Sequence, residues 1–175
     1  MILPEVRDPR LVTVRRGGTL TDDHHRLLAL WAADCAEHVL DLFEREAPHD
    51  RGPREAIAAV RGWVRDEVAM MASRAAGGHA MGAARPLRGA PRFAAYAAGQ
   101  AACVPHVAEH DLGAAAYAIK ARSAAYPQDP EAGRRERDRQ RDRLPAAVRD
   151  LVLEDQARRD AICWGVFGDA VPDVP

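Results

Sequence analysis

The chain has 175 residues, with 26 acidic against 25 basic side chains and a formal charge of -1. It is long enough to bury a core without disulfide or metal staples, and it has no global field that would draw it to nucleic acid or anionic lipid. Its three cysteines, Cys35, Cys103 and Cys163, are odd in number and far apart, which excludes a disulfide framework and a CxxC metal site and predicts reduced thiols in a cytosol.

Alanine and arginine dominate, asparagine is absent and Lys120 is the only lysine, a bias of the kind a GC-rich genome imposes. Met1 to Arg10 lacks the basic segment and apolar run of a signal peptide, and no later stretch approaches membrane-span length. The expectation is a cytoplasmic protein without membrane attachment.

Residues 1–20 are read as a short extended N-terminal arm. They hold the only β-like stretch, Leu11-Val-Thr-Val14, closed by Arg15-Arg16-Gly17-Gly18. Unpaired, such a strand would leave Leu11 and Val14 exposed, so the arm is expected to pack across the helices or against another subunit. Thr21, Asp22 and Asp23 supply N-cap chemistry for a helix running to about Glu46, where Pro48 stops it. Leu28, Trp31, Cys35, Val39 and Leu42 form its apolar stripe. Pro53 suits the first turn of a second helix that buries Ile57, Val60, Val64, Val68 and Met71, antiparallel to the first.

An alanine-rich third helix reaches Ala84, with Gly77-Gly78 predicted to break it and the turn cluster at 85–91 to end it. From Arg92 to Ser123 most residues are small, which predicts close helix packing, and Pro105 divides or kinks the stretch. Residues 134–143 hold six arginines and three acids and read as a solvated helix of mixed charge; with no aromatic interleaved, nucleic-acid binding is not expected. A last amphipathic segment starts at Pro145, and residues 169–175 are read as a flexible tail. The sum is one all-α domain over 21–168, an alanine-rich bundle of five or more helices.

The sharpest motif is His106-Val-Ala-Glu-His110. In the H-x-x-E-H pattern two histidines one helical turn apart bind zinc while the carboxylate acts as general base. The same residues also fit a core helix with hydrogen-bonded imidazoles, and a third ligand has no evident source, so His106 and His110 are weak metal candidates and no cofactor is called for. On one helix, His106, His110, Gly113, Tyr117 and Lys120 would share a face, as would Trp31, Asp34 and His38 on the first helix. If the two faces met, a carboxylate, imidazoles, an ammonium and aromatic rings would surround one polar pocket. Asp34 or His106 would then be buried and bonded to another member, either to satisfy buried polar groups or to do chemistry.

Four segments resemble a known family: Asp8-Pro-Arg-Leu-Val-Thr-Val-Arg-Arg-Gly-Gly-Thr-Leu20, Trp31-Ala-Ala-Asp-Cys-Ala-Glu37 with Leu42-Phe-Glu44, Pro53-Arg-Glu-Ala-Ile57, and His110-Asp-Leu-Gly-Ala-Ala-Ala-Tyr-Ala-Ile-Lys120. Across most of Asp8 to Leu151 the chain is similar to the immunity-five-like immunity proteins of bacterial polymorphic toxin systems. The resemblance implies an all-helical, alanine-rich fold and a protein that binds and neutralises a cognate toxin. The family pattern tends to place a histidine after the glycine in the helix before Pro105, where this chain has Gly99-Gln100.

Two functional readings follow. A toxin-binding protein needs only a complementary surface and no catalytic group. A small-molecule binding protein or enzyme would instead use an interhelical pocket around Asp34, His106, His110 and Lys120. Homo-oligomerisation is left open by the sequence.

Overall fold

The computed structural model of the chain describes residues 3–168 and is all-α. Eight α-helices follow one another among the described residues: α1 Asp22–Glu37, α2 Leu40–Glu44, α3 Gly52–Val64, α4 Met70–Ala83, α5 Gly89–Cys103, α6 Asp111–Ala125, α7 Ala132–Asp142 and α8 Ala146–Arg159. α5 lies at the centre, against α1, α2, α3, α4 and α6, and α6 carries the packing on to α1 and α7. The expected tail lies outside the described residues.

Alanine makes the centre dense. Six alanines of α5 are fully buried, and so are Ala114, Ala115, Ala116 and Ala118 of α6, so neighbouring helix backbones approach closely. Gly77 and Gly78 do not break α4 but lie within it. A Cβ on Gly77 would come within 2.7 Å of the Gly99 carbonyl oxygen on α5. Gly77 is therefore a packing glycine, and an alanine there would overpack a rigid contact at about 1–3 kcal/mol.

The first predicted helix is two. Thr21 caps α1 as expected, its side chain accepting from the His24 N–H at 3.2 Å, but the helix stops at Glu37. The carbonyl of His38 leaves the helical ladder and accepts from Arg122 Nη2 at 2.7 Å. A long-range arginine thus ends the helix where no proline or glycine does. The second predicted helix also ends early, at Val64, in a reversal with Asp66 at φ 62°. Val68 folds back over Gly62, whose Cβ would clash with it at 2.6 Å, while Met71 belongs to α4 and is exposed.

The N-terminal arm is wound rather than extended. It makes two 3-10 turns, Pro9–Leu11 and Val14–Arg16, and one bridge between Thr13 and Leu20. Gly18 permits this, since a Cβ there would lie 2.0 Å from the Val12 carbonyl oxygen. Leu11 and Leu20 are buried in the core and Val14 remains exposed. The arm packs on the bundle through Leu11 and through ion pairs from Arg10 to Glu154 and from Arg7 to Glu109, at 2.6 and 2.5 Å.

α7 is not the solvated helix its composition predicts. Ala132, Gly133, Glu136, Arg137 and Gln140 form a buried face, and a Cβ on Gly133 would meet Ser123 Oγ of α6 at 2.3 Å. Small residues at one end of the helix let its charged side chains turn inward.

Candidate functional site

The residues expected to share one pocket occupy four separate settings. Asp34 is exposed on α1 and pairs with Arg61 at 2.7 Å, so it belongs to no buried cluster. Tyr117 and Lys120 lie on α6 in an aromatic group: Tyr117 stands 5.1 Å from the rings of both Tyr96 and Trp164, and Lys120 Nζ lies 4.1 Å from the Trp164 ring and 5.0 Å from that of Phe93. Burial lowers the Lys120 pKa, and the ring faces provide cation–π partners for its charge.

His106 and His110 do not share a helix. Pro105 and an extended Val107 keep His106 in a turn, and His110 ends a 3-10 turn immediately before α6. His110 Nδ1 lies 2.7 Å from Gln100 Oε1, so the glutamine that replaces the family-pattern histidine is its direct partner. Burial first, then the positive charges of His106, Arg159, Arg7 and Arg74, push His110 down to about 4. Glu109, the expected general base, is buried; its side chain pairs with Arg7 and its carbonyl accepts two bonds from Arg159 at 2.9 Å. Among the described residues no three His, Cys, Asp or Glu side chains are grouped to hold a metal ion.

Trp31 and His38 do converge, through residues the sequence reading passed over. Trp31 Nε1 donates to the Gln140 carbonyl at 2.9 Å, and Gln140 Nε2 donates to Glu136 Oε1 at 3.0 Å. Glu136 Oε2 lies 2.5 Å from His38 Nδ1. Glu136 and Gln140 are one helical turn apart on the buried face of α7, and the spacing of Ala132, Gly133, Glu136 and Gln140 was the available signal. Arg122 and Arg139 flank the same carboxylate at 3.9 and 3.5 Å. His38, Glu136, Arg122 and Arg139 line a cleft of about 360 Å³ that also reaches Tyr126 and Arg135.

A second recess, about 320 Å³, runs beneath the N-terminal arm. Arg7, Arg15 and Arg16 of the arm face His25, Trp63 and His106 across it. His25 is buried, its ring 5.0 Å from that of Trp63 and its Nε2 2.8 Å from the Val104 carbonyl. Burial and the charges of Arg74, Arg16 and Arg7 all lower the His106 pKa, and its buried Nδ1 has no hydrogen-bond partner. Asp22 is taken by Arg15 at 2.6 Å and Glu109 by Arg7. Arg16 has only the His106 carbonyl, at 3.3 Å, and Arg74 has no ion pair among the described residues. Exposed Val14 and Met71 lie a few residues before Arg16 and Arg74 in the chain.

No helix of the described residues is long and apolar enough to cross a membrane. Neither the curated proteins nor the solved structures include a match to the chain. A family model does match, over residues 18–147, and includes α1 to α7 and every residue of the His38–Glu136 cleft. The chain belongs to the family described as "Imm-5 like putative immunity protein".

Proposed function

We propose that the chain is an immunity protein of a bacterial toxin system, acting in the cytoplasm by binding a cognate toxin and blocking it without chemistry of its own. Family membership is the observation that carries this reading. A blocking protein needs a surface of matched shape and charge, and its specificity comes from local contacts rather than from net charge; the near-neutral balance of the chain accords with that.

The face that fits best is the groove under the N-terminal arm. It combines a lining cation without an acidic partner, Arg16, with the charge of Arg74 acting on His106, the ring of Trp63, and exposed Val14 and Met71 nearby in the chain, the mixture of arginine, aromatic and apolar residues that protein interfaces favour. Its chemical complement is an acidic segment of the toxin.

Co-expression with the toxin encoded beside the gene tests the reading. The wild-type chain should restore growth and co-purify with that toxin, and the Arg16→Glu/Arg74→Glu double variant should weaken binding about tenfold or more. Failure of the wild-type chain to bind or protect would overturn the immunity role, whereas unchanged affinity of the double variant would overturn only the choice of face.

A further inference from the structure

The cleft formed by the α1–α2 joint, α6 and α7 has a charge arrangement that nothing in toxin blocking requires. Its one carboxylate, Glu136, is buried, and both oxygens are engaged: Oε2 with His38 and Oε1 with Gln140. Around that carboxylate stand two partly buried guanidinium groups at ion-pair distance but without a hydrogen bond to it, Arg122 at 3.9 Å and Arg139 at 3.5 Å. Arg122 spends one nitrogen on the His38 carbonyl. Arg139 is in greater need: its Nη1 is buried without a hydrogen-bond partner, and desolvation works against its charge.

Arg135 adds a further cation at the rim, where it pairs with Asp129. The sum over the lining is an excess of positive charge facing an open space of about 360 Å³, with the exposed ring of Tyr126 at its edge. Guanidinium donors held in place by a buried framework, but short of acceptors, are complementary to a tetrahedral oxyanion. The framework is rigid in its own right, since Glu136 is tied through Gln140 to the indole of Trp31 in the core.

We propose that this cleft is a binding site for a phosphate group, held by Arg139 and Arg122 with His38 beside it. The space exceeds what one phosphate fills, so a small phosphate monoester fits as well as the free ion. The site is separate from the groove under the arm, and its occupancy does not depend on the toxin-binding reading.

Equilibrium dialysis of the full chain against inorganic phosphate and against glycerol phosphate tests the site and separates the two sources. Saturable binding of at least one is expected, tighter for glycerol phosphate if a monoester is the ligand and equal if only the anion is read. Arg139→Gln should weaken it tenfold or more, while Arg74→Gln, whose charge acts on His106 and His110 rather than on the cleft, should leave it unchanged. The imidazole resonances of His38 give a second readout on the unsubstituted chain and should move during a phosphate titration. Absence of saturable binding, equal loss in the Arg139→Gln and Arg74→Gln variants, or a His38 ring that does not respond would each overturn the proposal.

Discussion

The groove under the arm and the cleft beside α7 are both lined with arginine, yet they hold charge in different ways. In the cleft, a buried carboxylate is shared among His38, Gln140, Arg122 and Arg139, so the cations are part of the fold. At the groove, Arg16 lines the wall and Arg74 acts on His106 by its charge; both are exposed and have no carboxylate of their own among the described residues. The difference teaches where substitutions should be felt: in stability at the cleft, in binding at the groove.

The largest effect should come from Glu136→Ala, which leaves His38, Arg122 and Arg139 around an empty position. Removing one member of a buried charged set typically costs about 3–5 kcal/mol, and a chemical melt should record it. Glu136→Gln keeps the Gln140 bond and should cost less. A neutral Glu136→Ala would erase the contrast between the two recesses.

The buried polar set behind the groove should show itself through pH. Burial raises Asp111 to about 7, with the charge of Arg159 opposing, from an ordinary 3.8. Its folded pKa lies above its unfolded one, so its contribution is full below pH 3.8 and is lost as pH rises through 7. His110 runs the other way: held at about 4 against an ordinary 6.5, it contributes fully above pH 6.5 and loses that contribution as pH falls toward 4. Asp111→Asn retains the acceptor for the Leu112 N–H and should be more stable than the wild-type chain above pH 7, with the gain disappearing on acidification. His110→Gln should flatten the loss of stability between pH 6.5 and 4. Urea titrations across that range would measure both, and a pH-independent difference in either variant would contradict the assignment.

The smallest effects belong to the surface. Asp34→Ala removes an exposed pair with Arg61 and should cost only about 0–1 kcal/mol, not the several kcal/mol a buried partner would. Arg16→Glu/Arg74→Glu should melt within about 0.5 kcal/mol of the wild-type chain, because neither arginine has a carboxylate partner to lose and Arg16 has only a long, exposed bond to the His106 carbonyl. A large destabilisation would show that the groove is structural after all.

Much of the fold was legible because apolar and small residues recur at helical spacing: the stripe from Leu28 to Leu42, the Thr21 cap, Pro53 and the break at Pro105 all lie where the pattern puts them. The helix end at His38 depends on Arg122, far away in the chain, which no local window contains, while the end at Val64 is a tight reversal through Asp66 at φ 62° that apolar periodicity does not signal. Gly77-Gly78 carries the same letters as a turn, but Gly77 serves a backbone contact with α5 and a Cβ on Gly78 would meet open space. The site was harder to read because spacing assigns faces only within a helix. One proline took His106 and His110 off α6, and the side chains that join Trp31 to His38 come from an arginine-rich segment whose composition reads as solvent-facing.

The central claim is that this chain binds a toxin through the groove under its arm, and calorimetric titration of the purified chain with the inactivated product of a toxin-like gene beside its own tests it most directly. The account predicts a tight one-to-one complex, an affinity that falls about tenfold or more in Arg16→Glu/Arg74→Glu, and no change in Arg139→Gln. A complex weakened by Arg139→Gln and indifferent to the groove variant, or no complex with the wild-type chain, would contradict it.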